Sequence, residues 1–316
     1  MPKIKLLEVK ARLYADIRAY FNKTGVMEVH TPVLSFSGNT DPQIESFTTM
    51  YSGAAEQKLK TMYLHTSPEF FMKRLLSQGS GSIYQLASVF RQAEVGRFHN
   101  PEFEMLEWYR VDFNYQELMD DVVSLIYSLS QREISVNKIS YEQAFKSILV
   151  NPHNCSIEKL NQVANNHGIS LQTSEDLDKD QWLALLMTHV IEPSFDKEKL
   201  TFIYDFPASQ ASLAKIRQDK FPIAERFELY WGGVELANGF TELLDEDEQR
   251  NRFIHDNELR VQVGLNEVSI DDLFLDALVK GLPACSGVAI GLDRLLMVLA
   301  QLDSLKEAMA FDIDSV

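Results

Sequence analysis

Residues 88–110 read SVFRQAEVGRFHNPEFEMLEWYR. The stretch begins and ends in runs that alternate apolar and polar residues, the period-two pattern of half-buried strands. Residues 82–91 and 102–111 are therefore expected as two antiparallel strands. Residues two apart on a strand share a face. Gln85, Val89 and Arg91 point one way on the first strand, and Phe103, Met105, Glu107 and Tyr109 share a face of the second. If odd positions lie on one side in both, an arginine, an aromatic ring and a tyrosine look into one space. The connection QAEVGRFHNP is longer than a tight hairpin needs, and it holds Arg97 and His99. Loops of that kind within compact domains are usually functional or disordered. A solvated surface ribbon would carry the same pattern, so the surrounding sequence has to decide.

Upstream, Leu6, Val9, Leu13, Ile17 and Tyr20 recur at helical spacing, and Gly25 stands where that helix would stop. VMEVHTPVL (26–34) reads as extended, because Pro32 keeps its predecessor out of the helical region. KLKTMYLHT (58–66) reads as a strand. SPEFFMKRLL (67–76) reads as a helix with Ser67 as its N-cap and Pro68 at its first position. Downstream, residues from about 115 to 200 carry a mostly helical pattern, broken at NPHN (151–154) and near Pro193. Strand signals return at TFIYDF (201–206), RFELYW (226–231) and VELANGFTEL (234–243). Residues 245–263 and 269–280 read as helices, and GVAIGLDRLLMVLA (287–300) as a strand running into a helix. There is no internal repeat, low-complexity tract or Pro/Gly-rich linker. Strands before and after a helical block imply one α+β domain over residues 1–316, an antiparallel sheet flanked by helices with a helical insertion at about 115–200.

Composition narrows the function. The chain has 316 residues, 45% of them hydrophobic, enough for a sizeable core. Lysine and arginine total 30 against 46 acidic residues, a formal charge of -16. So acidic a chain is not expected to bind nucleic acid through general electrostatics, and a local basic patch would have to be built against the background charge. The two cysteines, Cys155 and Cys285, are far apart and sit in no metal-binding spacing, which suits a reduced, cytoplasmic setting. The N-terminus lacks the apolar core of a signal peptide, and no run approaches the ~18 apolar residues of a membrane span.

Two further stretches carry chemistry. In CSGVAIGLDRLLM (285–297), small residues leave backbone open to a ligand and Arg294 follows at a helix start. A guanidinium there can pair with phosphate oxygens, although glycines of this kind also serve close helix–strand packing. In RFELYWGGVELANGFTELLD (226–245), Gly232-Gly233 is a natural two-residue hairpin turn. Such a turn pairs Glu228 with Ala237 and makes Glu228 and Glu235 diagonal neighbours on one face. Carboxylates that close repel unless protonated or bridged by a cation, and hard oxygen ligands suit magnesium carried in with a polyphosphate. Glu242 is an odd offset from Glu235, so a bulge near Asn238-Gly239 would be needed to return it to that face. An exposed acidic strand is the alternative. Together the three stretches supply arginines for phosphates, paired acids for magnesium and a ring to stack on a base, which is equipment for ATP on an antiparallel sheet. No Walker loop or kinase catalytic loop is present.

GVMEVHTPVL (25–34), FRQAEVGRFHNPEFEMLEWY (90–109) and GVAIGLDR (287–294) resemble motifs 1, 2 and 3 of the class II aminoacyl-tRNA synthetases, of the lysyl type. TSPEFFMKRLL, FPASQASLA and ELANGFTEL are more similar still to the truncated lysyl-tRNA synthetase paralogues that modify elongation factor P. The resemblance covers nearly the whole chain. It implies dimerisation through the Pro32 region, ATP and Mg2+ as cofactors, and β-lysine or lysine as the amino acid. It implies Arg91 on the α-phosphate, with Phe103 and Arg294 sandwiching adenine and Arg294 reaching the γ-phosphate. Asn100, Glu235, Leu236 and Gly291 would line the ATP site with His99 nearby, and Glu228 and Glu235 would hold magnesium. Ser67, Pro68 and Glu69 would meet the amino acid's backbone end, and Tyr109 and Glu242 its side-chain ammonium. Gln92 and Ala93 stand in the ATP-binding motif where the family has an amide and a carboxylate, and Phe98 where lysyl synthetases usually have arginine. Ala289 replaces a usual glycine beside the amino acid, which implies preference for an amine on Cβ over one on Cα. Motif 1 begins too early to leave room for the anticodon-binding domain of lysyl-tRNA synthetases, so the expected acceptor is elongation factor P and not tRNA.

Overall fold

The computed structural model describes residues 3–52, 59–169 and 177–316. Helix α1 (Lys3–Lys23) buries Leu6, Leu13, Ile17 and Phe21 along one face, and Gly25 follows it in the left-handed region at φ +70°. The extended segment after it contributes β1 (Met27–Glu28) and β2 (Leu34–Ser35). β3 (Thr48–Tyr51) and β4 (Lys60–Leu64) join β2 in a small sheet of order β2-β4-β3. Residue 58, read as the start of that last strand, lies outside the described residues. Helix α2 (Glu69–Ser77) starts later than the sequence suggests. Pro68 occupies the capping position, and the Ser67 hydroxyl accepts a 3.0 Å bond from the Glu69 N–H.

The chain then builds β5 (Ile83–Phe90), β6 (Glu102–Val111), α3 (Tyr115–Ser130), β7 (Val136–Ser140), α4 (Tyr141–Lys146), α5 (Ile157–Asn166) and α6 (Lys179–Leu186). It continues with β8 (Leu200–Pro207), β9 (Ile216–Arg217), β10 (Ile223–Trp231), β11 (Val234–Thr241), α7 (Glu246–Gln262), α8 (Asp272–Lys280), β12 (Cys285–Gly291), α9 (Leu292–Leu299) and α10 (Leu305–Ala308). The main sheet runs β1-β5-β6-β12-β11-β10-β8-β7, with β9 on β10. Its interior pairs are antiparallel, as expected, while β1 joins β5 and β7 joins β8 in parallel. β7 corrects the reading of residues 115–200 as helical. That block contains an edge strand whose first three residues are exposed, so no apolar alternation announced it. Residues 170–176 of the same block lie outside the described residues.

One face of the sheet is closed by α1, α3 and α9 over Leu106, Trp108, Phe227 and Ile290. On the other face, α4 to α6 cover Ile203, Phe206, Ala224 and Tyr230 at one end. α2 and α8 cover Ile83, Tyr109 and Cys285 at the other. The larger apolar side chains among them, such as Leu106, Phe227 and Ile290, each contribute ~1.5–3 kcal/mol on burial. Between the two clusters the face stays open. The register of β5 and β6 aligns odd with odd, Gln85 opposite Glu107 and Val89 opposite Phe103. Ala289 of β12 lies opposite Glu107 on one side and Asn238 on the other. The odd positions of β6 therefore face the opening, as the alternation requires.

Candidate active site

The opening holds a cavity of about 690 Å3, bordered by Ser67, Glu69, Arg91, Met105, Glu107, Tyr109, Gly287 and Ala289 among others. Ile44, Arg91, Met105, Asn238 and Ala289 also border a second cavity of about 140 Å3. The two are compartments of one cleft. The smaller collects Phe98, His99, Asn100, Phe103, Glu235, Leu236, Gly291 and Arg294.

In the smaller compartment the arginines rest on internal partners. Arg91 donates to Glu94 at 3.1 Å and lies over the Phe103 ring, 5.2 Å from its centre. Arg294, in the first turn of α9, donates to the carbonyls of Phe98 and Glu235, each at 3.0 Å. Burial and the neighbouring Arg294 guanidinium push His99 below the usual imidazole pKa. Asn100 is committed to local structure: it donates to the Glu102 carbonyl at 2.7 Å and accepts from the Ile313 N–H at 2.9 Å. Gln92 and Ala93 are exposed and line neither compartment. The carboxylate beside Arg91 is supplied one residue later, by Glu94.

The β10–β11 hairpin turns on Gly232 and Gly233, at φ +64° and +80°, the positive values a two-residue primed turn needs. Its register differs from the simple hairpin. Glu228 pairs with Asn238, not Ala237, because a bulge at Leu236 shifts the ladder between Leu229 and Tyr230. The bulge lies before the Asn238-Gly239 position expected for it. It still switches the parity of β11, so Glu228, Glu235, Asn238 and Glu242 share a face. The Glu228 carboxylate accepts from Arg226 at 2.5 Å and from the Tyr230 hydroxyl at 2.6 Å. Glu192 approaches from the helical block, 3.3 Å from the same hydroxyl. Burial first, then Glu228 and Glu235, push Glu192 up to about 7. Burial also raises Glu228, with Arg226 opposing. Among the described residues, no group of three or more His, Cys, Asp or Glu side chains is arranged to hold a metal ion.

The larger compartment has an acidic floor. Glu107 is buried and accepts from Ser67 at 2.6 Å and Tyr109 at 2.7 Å. Burial first, then the Glu69 charge, raise Glu107 to about 7. Behind the floor, Glu242 meets the ammonium of Lys73, which also donates to Glu69 at 2.6 Å. Lys73 and Glu242 side chains are 1% and 0% exposed. Burial raises Glu242 to about 8 against the opposing pull of Lys73. Burial would discharge Lys73, but Glu242 and Glu69 outweigh it and hold its pKa above the usual lysine value. Gly287 is obligatory: a Cβ there would lie 2.4 Å from the Tyr109 ring and 2.6 Å from a Glu242 oxygen. Glu242 thus lies beneath the cavity with a resident ammonium already against it, while Tyr109 and Glu69 face the space. Pro68 and Glu228 line neither compartment.

Sequence reasoning missed Glu107, Lys73 and Glu192 as site residues. Glu107 shares its strand face with Tyr109, which was a usable signal. Lys73 sits four residues after Glu69 on an amphipathic helix, where exposure is the ordinary expectation.

The sequence pattern of tRNA synthetases class II (D, K and N) matches residues 3–315. The chain belongs to the class II tRNA synthetase family. Within it, the chain is 47% identical over 306 residues to the elongation factor P–(R)-β-lysine ligase of Proteus mirabilis, 96% of this chain and 94% of that relative. It is 46% identical over 305 residues to the ligase of the same name from Photorhabdus laumondii, with the same coverage. The Avibacterium paragallinarum ligase is 44% identical over 313 residues, 99% of this chain and 96% of that one. The class II synthetase sheet accounts for the order in which the three motifs meet: β6 carries motif 2 beside β12 of motif 3, and β1 of motif 1 lies at the sheet edge. Among the described residues, no helix is long and apolar enough to cross a membrane.

Proposed function

We propose that the chain is an ATP-dependent, AMP-forming ligase that activates (R)-β-lysine as an aminoacyl adenylate and joins it to a lysine side chain of elongation factor P. The observation that carries this reading is the charge on the cleft floor. Glu69 and Glu107 face the larger cavity, while Lys73 offsets Glu242 behind it. Among the described residues Glu107 is buried without a cation partner, and Glu69 keeps one oxygen free beside Lys73, which favours a cationic ligand, and a diamino acid brings two ammoniums. The printed names of the relatives, each covering nearly the whole chain, support the same amino acid and acceptor.

The reaction needs no covalent bond to the protein. The substrate carboxylate attacks the α-phosphorus of ATP, the bond to pyrophosphate breaks, and Arg91 and Arg294 exchange their internal acceptors for phosphate oxygens as negative charge develops there. The acceptor's ε-amine then attacks the adenylate carbonyl. An amide forms, AMP leaves, and the amine proton is released. Glu69, Glu107 and Tyr109 hold the amino acid so that its carboxylate meets the phosphate, positioning that can itself lower the barrier. Glu228 and Glu235 share a face and carry hard oxygen donors that would hold magnesium once Glu228 exchanges its Arg226 contact for the ion, with phosphate oxygens completing the ligand set. When bound, the ion supplies charge neutralisation at the polyphosphate.

The segment around Pro32 is the proposed dimer contact. Val33, Leu34 and Phe36 are exposed there, beside exposed Met50 and Tyr51 on the same small sheet, and the Phe36 and Tyr51 rings lie 6.0 Å apart. The acidic balance supports a protein acceptor over tRNA, and two free cysteines suit a reduced, cytoplasmic setting. Incubating elongation factor P with enzyme, ATP and lysine isomers tests the reading by mass spectrometry. The expected product is one lysyl addition on a lysine, fastest with (R)-β-lysine. An unmodified acceptor alongside aminoacylated tRNA would overturn it.

A further inference from the structure

The helical block between β7 and β8 has no part in the scheme above, yet it sends a carboxylate toward the proposed magnesium site. α6 runs into a π turn over Met187–Ile191 and then a tighter turn over Glu192–Ser194. Single π turns within helices recur at functional positions, and this one delivers Glu192. Its Oε1 lies 3.3 Å from the Tyr230 hydroxyl. Phe195, from the same turn, packs edge-on against the Tyr230 ring, with centres 5.2 Å apart. Tyr230 is 4% exposed and neighbours both proposed metal ligands. Its hydroxyl donates to Oε2 of Glu228 at 2.6 Å, and across the β10–β11 ladder it pairs with Glu235 beside the bulge. The other Glu228 oxygen, Oε1, accepts from Arg226 at 2.5 Å.

We propose that Tyr230, braced by Glu192 and Phe195 of the helical block, is the positioning residue for the magnesium carboxylate Glu228. It holds Oε2 in place while Oε1 exchanges Arg226 for the ion, which gives the helical block a part in setting metal affinity. The inference rests on the proposed magnesium site and deepens it.

A purely structural role leaves part of this arrangement unexplained. A buried tyrosine hydroxyl needs a partner, and Glu228 already supplies one. The hydroxyl has a single proton to give, so a second carboxylate adds nothing to satisfying it. Glu192 is instead held near Glu228 and Glu235, where like charges repel and burial disfavours the charged form. A divalent ion on Glu228 and Glu235 would relieve that repulsion. Hydrogen-bond partners of ligating carboxylates fix their orientation and thereby tune the affinity for the metal.

The test measures the dissociation constant of α,β-methylene-ATP, an analogue the proposed reaction cannot cleave, by calorimetry in EDTA and in saturating Mg2+. The ratio of the two constants is the gain due to the metal, and it is read without turnover. Y230F keeps the ring and deletes the hydroxyl. It should lower the gain by about tenfold or more, the usual loss when a ligand's hydrogen-bond partner is removed, and leave the affinity in EDTA unchanged. E192A, at a half-buried position, should lower the gain by at least about threefold in the wild-type background and change nothing in the Y230F background, because residues acting through one contact are not additive. An unchanged gain in Y230F overturns the proposal. So does an E192A effect that is absent in the wild-type background, or equal in both backgrounds, which would make Glu192 a bare charge near the ion. A wild-type protein with no gain from Mg2+ would refute the magnesium site itself, and this inference with it.

Discussion

The two compartments of the cleft handle charge in opposite ways. In the smaller, Arg91 and Arg294 keep 24% and 20% of their side chains exposed and lean on a surface glutamate and backbone carbonyls. A phosphate can take over those contacts without unburying anything. In the larger, Lys73, Glu107 and Glu242 are buried, Glu69 is 18% exposed at the cavity, and carboxylates outnumber ammoniums on the floor. On the proposed function, nucleotide recognition is held ready through exchangeable partners, and amino-acid recognition through an imbalance that the substrate itself relieves.

The largest effect should come from the exchangeable side. Arg294→Ala removes a preorganised cation at the developing charge and should lower ATP–pyrophosphate exchange by ~10²–10³-fold, the usual loss for one such donor. The melting temperature should shift by only a few degrees, since the side chain's bonds go to a loop carbonyl and a strand end. Normal exchange in the variant would remove the distinction between the compartments.

On the fixed side, Glu107→Gln keeps the shape and the Ser67 contact but deletes a charge. Charge-assisted hydrogen bonds contribute ~1.5–3 kcal/mol, so the amino-acid KM should rise by roughly 10–150-fold while the ATP KM holds. Equal rises in both would show that the compartments are not separable. Ala289 sits where they meet, opposite Glu107 and Asn238. Ala289→Gly should move preference from β-lysine toward α-lysine by about tenfold, the lower range for one methylene-sized change in a pocket. An isomer ratio identical to wild type would leave the methyl with a packing role only.

These predictions draw on parts of the molecule that were unequally legible. The β5–β6 pair, its register and the cavity-facing side of β6 follow from alternation in residues 82–111, because a one-residue slip would turn every apolar side chain outward. Arg91 and Arg294 lie in contiguous motifs, and both border the smaller compartment. In the acidic floor Glu69 and Glu242 entered only through the family resemblance and Lys73 and Glu107 were missed, because the four come from segments far apart in the chain, and no local pattern says that a lysine four residues after a glutamate points inward. The bulge at Leu236 was anticipated in effect but misplaced by about two residues, since nothing local distinguishes the positions. β7 escaped notice because its exposed edge has no apolar alternation to show.

The smallest effect is on pH. Burial raises Glu107, which faces the cavity, to about 7 and Glu242, behind it, to about 8, so the empty floor takes up a proton at Glu107 as pH falls below about 7. An ammonium needs the carboxylate form. The amino-acid KM should therefore fall as pH rises from 6 to 8, by at most ~10-fold per unit for one proton. Stability runs the other way. Between the ordinary carboxylate value of ~4.3 and these raised ones, the folded state holds protons that the unfolded chain has lost, so the apoprotein weakens as pH rises through that window. Added β-lysine should offset the loss, which thermal melts at pH 6 and 8 would show. Equal melting shifts with substrate at both pH values would separate the floor from substrate charge.

The central claim is that the floor reads two ammonium groups at once. ATP–pyrophosphate exchange with β-lysine, with 6-aminohexanoate and with 3-aminohexanoate tests it directly, because each analogue lacks one of the two amines. The account predicts that both analogues lose at least about 100-fold in kcat/KM, since a site built to bond a polar group rejects the analogue lacking it. An analogue activated within a few-fold of β-lysine would contradict it.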